Sequence, residues 1–152
     1  MASKIVVRKA DNRDAAHLGK HMRLADKQEI WASHRITAPA VARLCVERYD
    51  AWCVDIDGEA AVFFGCSEQH GVGVPWMLAT DAIAKIGVRF LLGSRPIVDE
   101  WQRQYGLLTN YVHADNEVSR RWLTWLGFSL EESITINNER FYRFERRSDP
   151  HV

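Results

Sequence analysis

Residues 107–128, LLTNYVHADNEVSRRWLTWLGF, restrict what this chain can fold into more than any other stretch. Leu108, Asn110 and Val112 alternate with Thr109, Tyr111 and His113, a period of two that predicts a short strand over Leu108 to His113. Ala114-Asp115-Asn116 then makes a polar corner. Asp115 or Asn116 can accept a hydrogen bond from the first free N–H groups of a following helix, and Glu117 suits that helix's positive end. Val118, Trp122, Trp125 and Leu126 fall on one helical face, and Gly127 permits the left-handed exit that ends helices. A strand feeding a helix whose N-terminus opens on a polar corner is a seat for an anion, which makes this segment the first candidate for function.

The rest of the chain reads as alternating short elements. Ile5 to Lys9 predicts a first strand bounded by Asp11-Asn12, and Asp14 is positioned to cap a helix through Arg23 or beyond, with Leu18, Met22 and Ala25 on one face. Thr37 before Ala38-Pro39 signals a second helix through Tyr49. Trp52 to Ile56 and Ala60 to Cys66 flank Asp57-Gly58, a hairpin signal because both residues tolerate positive φ. Gly71 and Gly73 mark a loop before an apolar strand, Trp76 to Thr80. Thr80 or Asp81 opens a helical region to Tyr105 that Pro96 is expected to kink or restart and Gly106 to end. Leu130 to Ile136 and Arg140 to Glu145 close the fold as a hairpin around Asn137-Asn138, leaving Ser148 to Val152 as a flexible tail. The order β-αα-ββ-β-α-β-α-ββ predicts one α/β (α+β) domain over residues 1–147: a mixed, mostly antiparallel, twisted sheet with helices on both faces.

Composition narrows the partners. Lys+Arg and Asp+Glu balance at 20 each, so no overall field recruits nucleic acid or an acidic membrane. Basic and aromatic residues alternate in Arg140-Phe141-Tyr142-Arg143-Phe144, but a terminal strand with one face on the core accounts for that pattern. The opening residues, MASKIVVRKA, hold too short an apolar run for a signal peptide, and no segment approaches a membrane span. Cys45, Cys53 and Cys66 lack a C-x-x-C spacing and fit buried thiols in a reducing compartment, so a cytoplasmic setting is expected. His113 and Asp115 have no third ligand at a convincing spacing, which leaves no metal site.

Asn116, Ser119, Gly127 and Phe128 resemble the N-x-x-[A/S] … G-F signature near the C-terminus of GNAT-family N-acetyltransferases. MRLAD with EIWA (Met22 to Asp26, Glu29 to Ala32), PWMLATDAI (Pro75 to Ile83), NYVHADN (Asn110 to Asn116) and RWLTWLGF (Arg121 to Phe128) are similar to a divergent GNAT-like family of T7-like phages and prophages. Its members go under the names acetyltransferase or internal virion protein A. The resemblance spans about residues 4–146 and implies an acyl-CoA N-acyltransferase fold, in which the fourth and fifth strands part to admit the pantetheine arm. It implies acetyl-CoA as cosubstrate and a protein or small-molecule amine as acceptor. Action in the host cytoplasm, a place in the virion and a homodimer are all compatible with it.

The resemblance also implies where the coenzyme would touch. The family's Q/R-x-x-G-x-G/A loop aligns with Ala84-Lys85-Ile86-Gly87-Val88-Arg89, in which Gly87 keeps the central glycine while Ala84 and Arg89 depart from the pattern. Coenzyme A is then expected on the backbone of Leu78, Ala79 and Thr80 and at the turn of Lys85, Ile86, Gly87, Val88 and Arg89, with Asn116 and Ser119 on the other wall. Lys85 and Arg89 read either as cations for a phosphate or as a solvated helix face. Many family members carry a tyrosine seven residues after the corner asparagine as general acid; here that position is Leu123, which has no proton to give, leaving solvent or Tyr111. His113 is the leading candidate for the base, because a strand-borne imidazole titrates near neutrality; its competing reading is a hydrogen-bonded core histidine. The departures at Ala84, Arg89 and Leu123 fit the alternative of a GNAT-like module without catalysis, in virion assembly or host interaction.

Overall fold

Pairs of residues with positive φ set the hairpins. Asp57 (φ 53°) and Gly58 (φ 91°) join β2 (Trp52–Ile56) to β3 (Glu59–Gln69). His70 (φ 53°) and Gly71 (φ 80°) join β3 to β4 (Val72–Ala79). Asn137 (φ 50°) and Asn138 (φ 67°) join β6 (Ser129–Ile136) to β7 (Glu139–Arg147). Two left-handed residues in succession give the tight turn whose twist matches paired antiparallel strands. The loop expected at Gly71 and Gly73 is therefore a two-residue turn, and Gly73 lies inside β4. A Cβ there would stand 2.6 Å from Leu108 Cδ2 and 2.7 Å from Tyr105 Cδ2, so the glycine makes room for those side chains.

The computed structural model describes residues 3–148. Its seven strands form one sheet in the order β1-β2-β3-β4-β5-β7-β6, with β1 at Ile5–Lys9 and β5 at Leu107–His113. β1 pairs antiparallel with β2, β2 with β3, β5 with β7 and β6 with β7, whereas β4 pairs in parallel with β5, at Gly73↔Leu108. A parallel pair needs a crossover, and the helical segment between β4 and β5 supplies it. This is the mixed, mostly antiparallel α/β architecture expected from the element order. Residues 149–152 of the expected tail lie outside the described residues; Ser148 itself donates its N–H to Gly106 O at 3.0 Å.

The helices depart from expectation at three points. α1 (Asn12–His21) is capped by Asp11, not by Asp14: Asp11 Oδ1 accepts from Asp14 N and Asp14 Oδ2 from Asp11 N, each at 2.9 Å. Asp14 is free to stand inside the first turn because Arg8 grips its carboxylate, with Asp55 on the same guanidinium. The expected continuous helix through Arg23 breaks at Met22-Arg23, and α2 (Leu24–His34) begins anew. α3 (Ala38–Arg48) starts after Thr37, as read. Finally, α4 (Gly87–Gln104) runs through Pro96 without the restart that was one of the two expected outcomes there. The carbonyl that loses its partner belongs to Leu92, which is 60% exposed, so water can take that bond. The interruption falls earlier, where a 3-10 helix, Asp81–Lys85, gives way to α4 across Ile86.

Contacts concentrate in two compact units, one formed by the chain up to Gly65 with Met77–Ile86, the other by Cys66–Trp76 with the chain from Gly87 onward. In the first, β3 buries Ala60, Ala61, Val62, Phe63 and Phe64 in succession, which marks a strand covered on both faces. Gly19 of α1 meets Pro39 of α3 so closely that a Cβ would lie 2.8 Å from Pro39 Cα. Burial pushes the Cys45 and Cys53 thiols up to about 12, so both are inert at neutral pH. In the second unit, Val98, Leu108, Val112, Phe128 and Phe144 form a core on which Trp101, Tyr105, Leu123 and Leu126 pack. The inward face of α5 (Glu117–Trp125) is thus the Leu123 side; Val118 and Trp125, expected inside, are 42% and 37% exposed.

Gly73→Ala should destabilise the fold by about 1–3 kcal/mol, the usual cost of overpacking. The midpoint of urea denaturation reads this directly, and an unmoved midpoint would show that Leu108 and Tyr105 give way freely.

Candidate functional site

The end of β4 is fastened to the break between α1 and α2. Thr80 N donates to Ala61 O of β3 at 2.8 Å, so the backbone groups of Ala79, one residue earlier, face away from β3. Both are taken. Arg23 N donates to Ala79 O at 2.8 Å, and Ala79 N donates to Asp26 Oδ2 at 2.9 Å. Arg23 closes the arrangement with Nε on Asp26 Oδ2 at 2.9 Å and NH2 on Oδ1 at 2.8 Å. Asp26 is 1% exposed and Arg23 8%, so this is a buried, bidentate pair with a backbone donor as third partner. Met22 bridges to Thr80 alongside, and Thr80 Oγ1 accepts from Ala82 N to start the 3-10 helix.

The first turn of α4 has the chemistry of an anion seat. A Cβ on Gly87 would meet nothing within 4 Å, and Gly87 needs no positive φ. Neither packing nor backbone conformation therefore demands a glycine there, as at Gly93 and Gly106, but at a helix start a glycine would let a ligand approach the backbone closely. The first turn carries no acidic residue and instead holds exposed Arg89, a cation at the positive end of a helix dipole, an arrangement that a bound anion would stabilise. Lys85 is exposed at the end of the 3-10 helix, whereas Ile86 is buried and its N–H is spent on Ile83 O.

At the corner after β5, Asn116 caps α5 through Oδ1, which accepts from Ser119 N at 3.4 Å. Asn116 is 1% exposed, and its Nδ2 has no hydrogen-bond partner among the described residues. Asn110 reaches from β5 to Pro75 O, 2.9 Å away, so its side chain replaces a ladder bond beside a proline. His113 is buried at 4% exposure, with Nε2 2.9 Å from Glu139 Oε1 and its ring edge-on to Phe141 at 5.1 Å. That is the environment of a fixed core imidazole. Tyr111 is 42% exposed on the same face of β5. Among the described residues no group of three or more His, Cys, Asp and Glu could hold a metal ion, and no helix is long and apolar enough to cross a membrane.

Leu78, Ala79, Thr80, Lys85 and Ile86 thus belong to the first unit, and Gly87, Val88, Arg89, Tyr111, His113, Asn116 and Ser119 to the second. The role of Arg23 and Asp26 is not apparent from the sequence. Their i, i+3 spacing was the available signal, but only burial separates a structural pair from a surface one. Arg143 shows the contrast: it pairs with Glu132 and Glu145 across the β6–β7 surface, while Phe141 and Phe144 of the same strand are buried.

Solved structures share this fold. The acetyltransferase of the GNAT family from Streptococcus pneumoniae matches with a TM-score of 0.60 at 14% identity, covering 95% of this chain and 99% of that one. RimL, a ribosomal alpha-N-protein acetyltransferase in complex with coenzyme A, matches at 0.66 and 14%, over 94% and 93%. AAC(6')-Ib in complex with paromomycin and acetyl-CoA matches at 0.67 and 14%, over 95% and 93%. No protein-family model and no curated protein matches the sequence. The fold is that of the GNAT acetyltransferases.

Asp26→Leu alone should cost about 3–5 kcal/mol, because it strands a buried guanidinium. Adding Arg23→Met should return most of that loss, leaving about 1–3 kcal/mol for the unpaired Ala79 N–H. Chemical denaturation of the three variants measures the cycle; a double variant no more stable than Asp26→Leu would contradict the pairing.

Proposed function

We propose that the chain is an acetyl-CoA-dependent N-acetyltransferase acting on a protein or small-molecule amine. The observation that carries this reading is the first turn of α4: an unexplained glycine at 87, no carboxylate, and Arg89, in a fold shared with proteins solved with acetyl-CoA or coenzyme A. The free N–H groups of Gly87 and Val88 and the Arg89 guanidinium suit the diphosphate of the coenzyme. Asn116 Nδ2, a buried donor without an acceptor, suits a coenzyme oxygen, with Ser119 beside it on α5. Among proteins of this fold, RimL is a ribosomal alpha-N-protein acetyltransferase and AAC(6')-Ib is solved with paromomycin and acetyl-CoA, which supports either class of acceptor.

The reaction requires an unprotonated amine beside the thioester carbonyl and a proton for the leaving thiolate. Leu123 packs on the core and supplies no proton, so the thiolate takes it from Tyr111 or from solvent. His113, held by Glu139 and Phe141, orients the end of β5 in preference to taking the amine's proton. Acyl transfer then rests on positioning more than on general-base catalysis. Ala79 contributes nothing to the coenzyme while Asp26 and Arg23 hold its N–H and C=O.

The occupied edge at Ala79 and the apolar Leu123 also support a second reading, a GNAT-like module without catalysis that serves virion assembly or a host partner. We also read the chain as phage-encoded, acting in the host cytoplasm, on the motifs at Met22–Asp26, Pro75–Ile83, Asn110–Asn116 and Arg121–Phe128.

Calorimetric titration with acetyl-CoA separates the two readings. Saturable binding, weakened roughly tenfold or more by Arg89→Glu, is expected of the enzyme, that being the scale of one charge-assisted contact. Absence of binding at millimolar ligand would leave the non-catalytic module. His113→Gln should lower the melting temperature and leave turnover per folded molecule within a few-fold; a loss on the order of 10²-fold would make His113 the base after all.

A further inference from the structure

Two guanidinium groups in the second unit share one aromatic ring and no carboxylate. Arg120 of α5 and Arg140 of β7 place their Cζ atoms 5.7 Å and 4.9 Å from the centre of the Tyr142 ring. Neither has a carboxylate oxygen within ion-pair distance among the described residues, whereas Arg8, Arg23, Arg143 and Arg146 all do. Arg120 Nε is buried without an acceptor among the described residues. One helical turn earlier on the same face, Asn116 Nδ2 is buried without one too. Long side chains on a helix lean toward its N-terminus, so Arg120 reaches back over the turn that Asn116 begins. The strand register adds hydroxyls: Ser133 faces Tyr142 across β6–β7, and Thr135 faces Arg140.

We propose that Arg120, Arg140 and Asn116 form a binding site for a phosphoryl group at the N-terminal end of α5. Buried donors without acceptors are costly, and like charges brought to one ring repel; a single dianion answers both. A phosphoryl group has the charge for two guanidinium groups and the oxygens for two planar forks and an amide donor. Tyr142 holds the guanidinium planes by cation–π contact, and the helix dipole adds to the attraction. The site shares Asn116 with the proposed coenzyme wall, but its two guanidinium groups and Tyr142 do not depend on the acetyl-transfer reading. Free phosphate and a phosphoryl group on a larger ligand, coenzyme A included, present the same chemistry.

The test is titration of the full chain with inorganic phosphate at low ionic strength, read by calorimetry and by the side-chain amide resonance of Asn116. Saturable binding that shifts the Asn116 resonance and weakens tenfold or more in Arg140→Gln is expected, with Arg103→Gln, an exposed partner of Glu100, unchanged. Arg140 is exposed, so its variant should fold; Arg120→Gln serves as the second variant once its melting temperature is checked. Competition by coenzyme A but not by 3′-dephospho-coenzyme A would assign the group to the coenzyme, and lack of competition by either would assign it to another phosphate. Absence of saturable binding, or equal weakening by Arg140→Gln and Arg103→Gln, would overturn the proposal.

Discussion

A carboxylate taken out of water must find partners for its charge and its lone pairs, and Asp26 finds three in one place. Much of the first unit follows from that. Arg23 must leave the helical path to present both its backbone N–H and its guanidinium, so α1 ends at His21 and α2 begins at Leu24. Ala79, clasped on one edge, is followed by Thr80, whose hydroxyl starts the 3-10 helix. One buried pair thereby holds the end of β4 and the start of the 3-10 helix together within the first unit.

The second unit relies on packing in place of a charge pair. Phe128 and Phe144 meet edge-to-face at 5.3 Å, and α4 and α5 contribute Val98, Leu123 and Leu126 to the same cluster. Gly127, at φ 92°, makes the sharp exit that brings Phe128 into it. The helix that carries Asn116 and Arg120 is therefore held from its far end, and its N-terminal turn is left to polar contacts. Buried donors without acceptors can persist there because the rest of the helix is fixed by the core.

The hairpins were legible because Asp57-Gly58 and Asn137-Asn138 are local instructions: two adjacent residues that accept positive φ. The β5–α5 corner was legible for the same reason, since a cap and a closing glycine act within a turn. What the sequence hid was long-range. Nothing near Met22 says that Thr80 will pair with it, so the helix break there could not be read, nor the use of Asp26. Of the face read as apolar in α5, Leu126 packs on the core but Trp125 does not: tryptophan counts as apolar in a periodicity, yet Trp125 lies outside under the Arg95 guanidinium, 3.9 Å away. His113 was readable as a titratable group on a strand; Glu139, 26 residues away on the neighbouring strand, and Phe141 give it a structural role.

If Asp26 fastens β4, the amide of Ala79 and the amide of Arg23 are among the slowest in the first unit to exchange with solvent. Residue-resolved hydrogen exchange of the free protein measures both. Protection of the two amides approaching that of the Ala61–Phe63 core strand, lost together in Asp26→Asn, is the expected result. Rapid exchange at Ala79 in the native protein would contradict it, because that N–H would then lack the carboxylate on which the end of β4 depends.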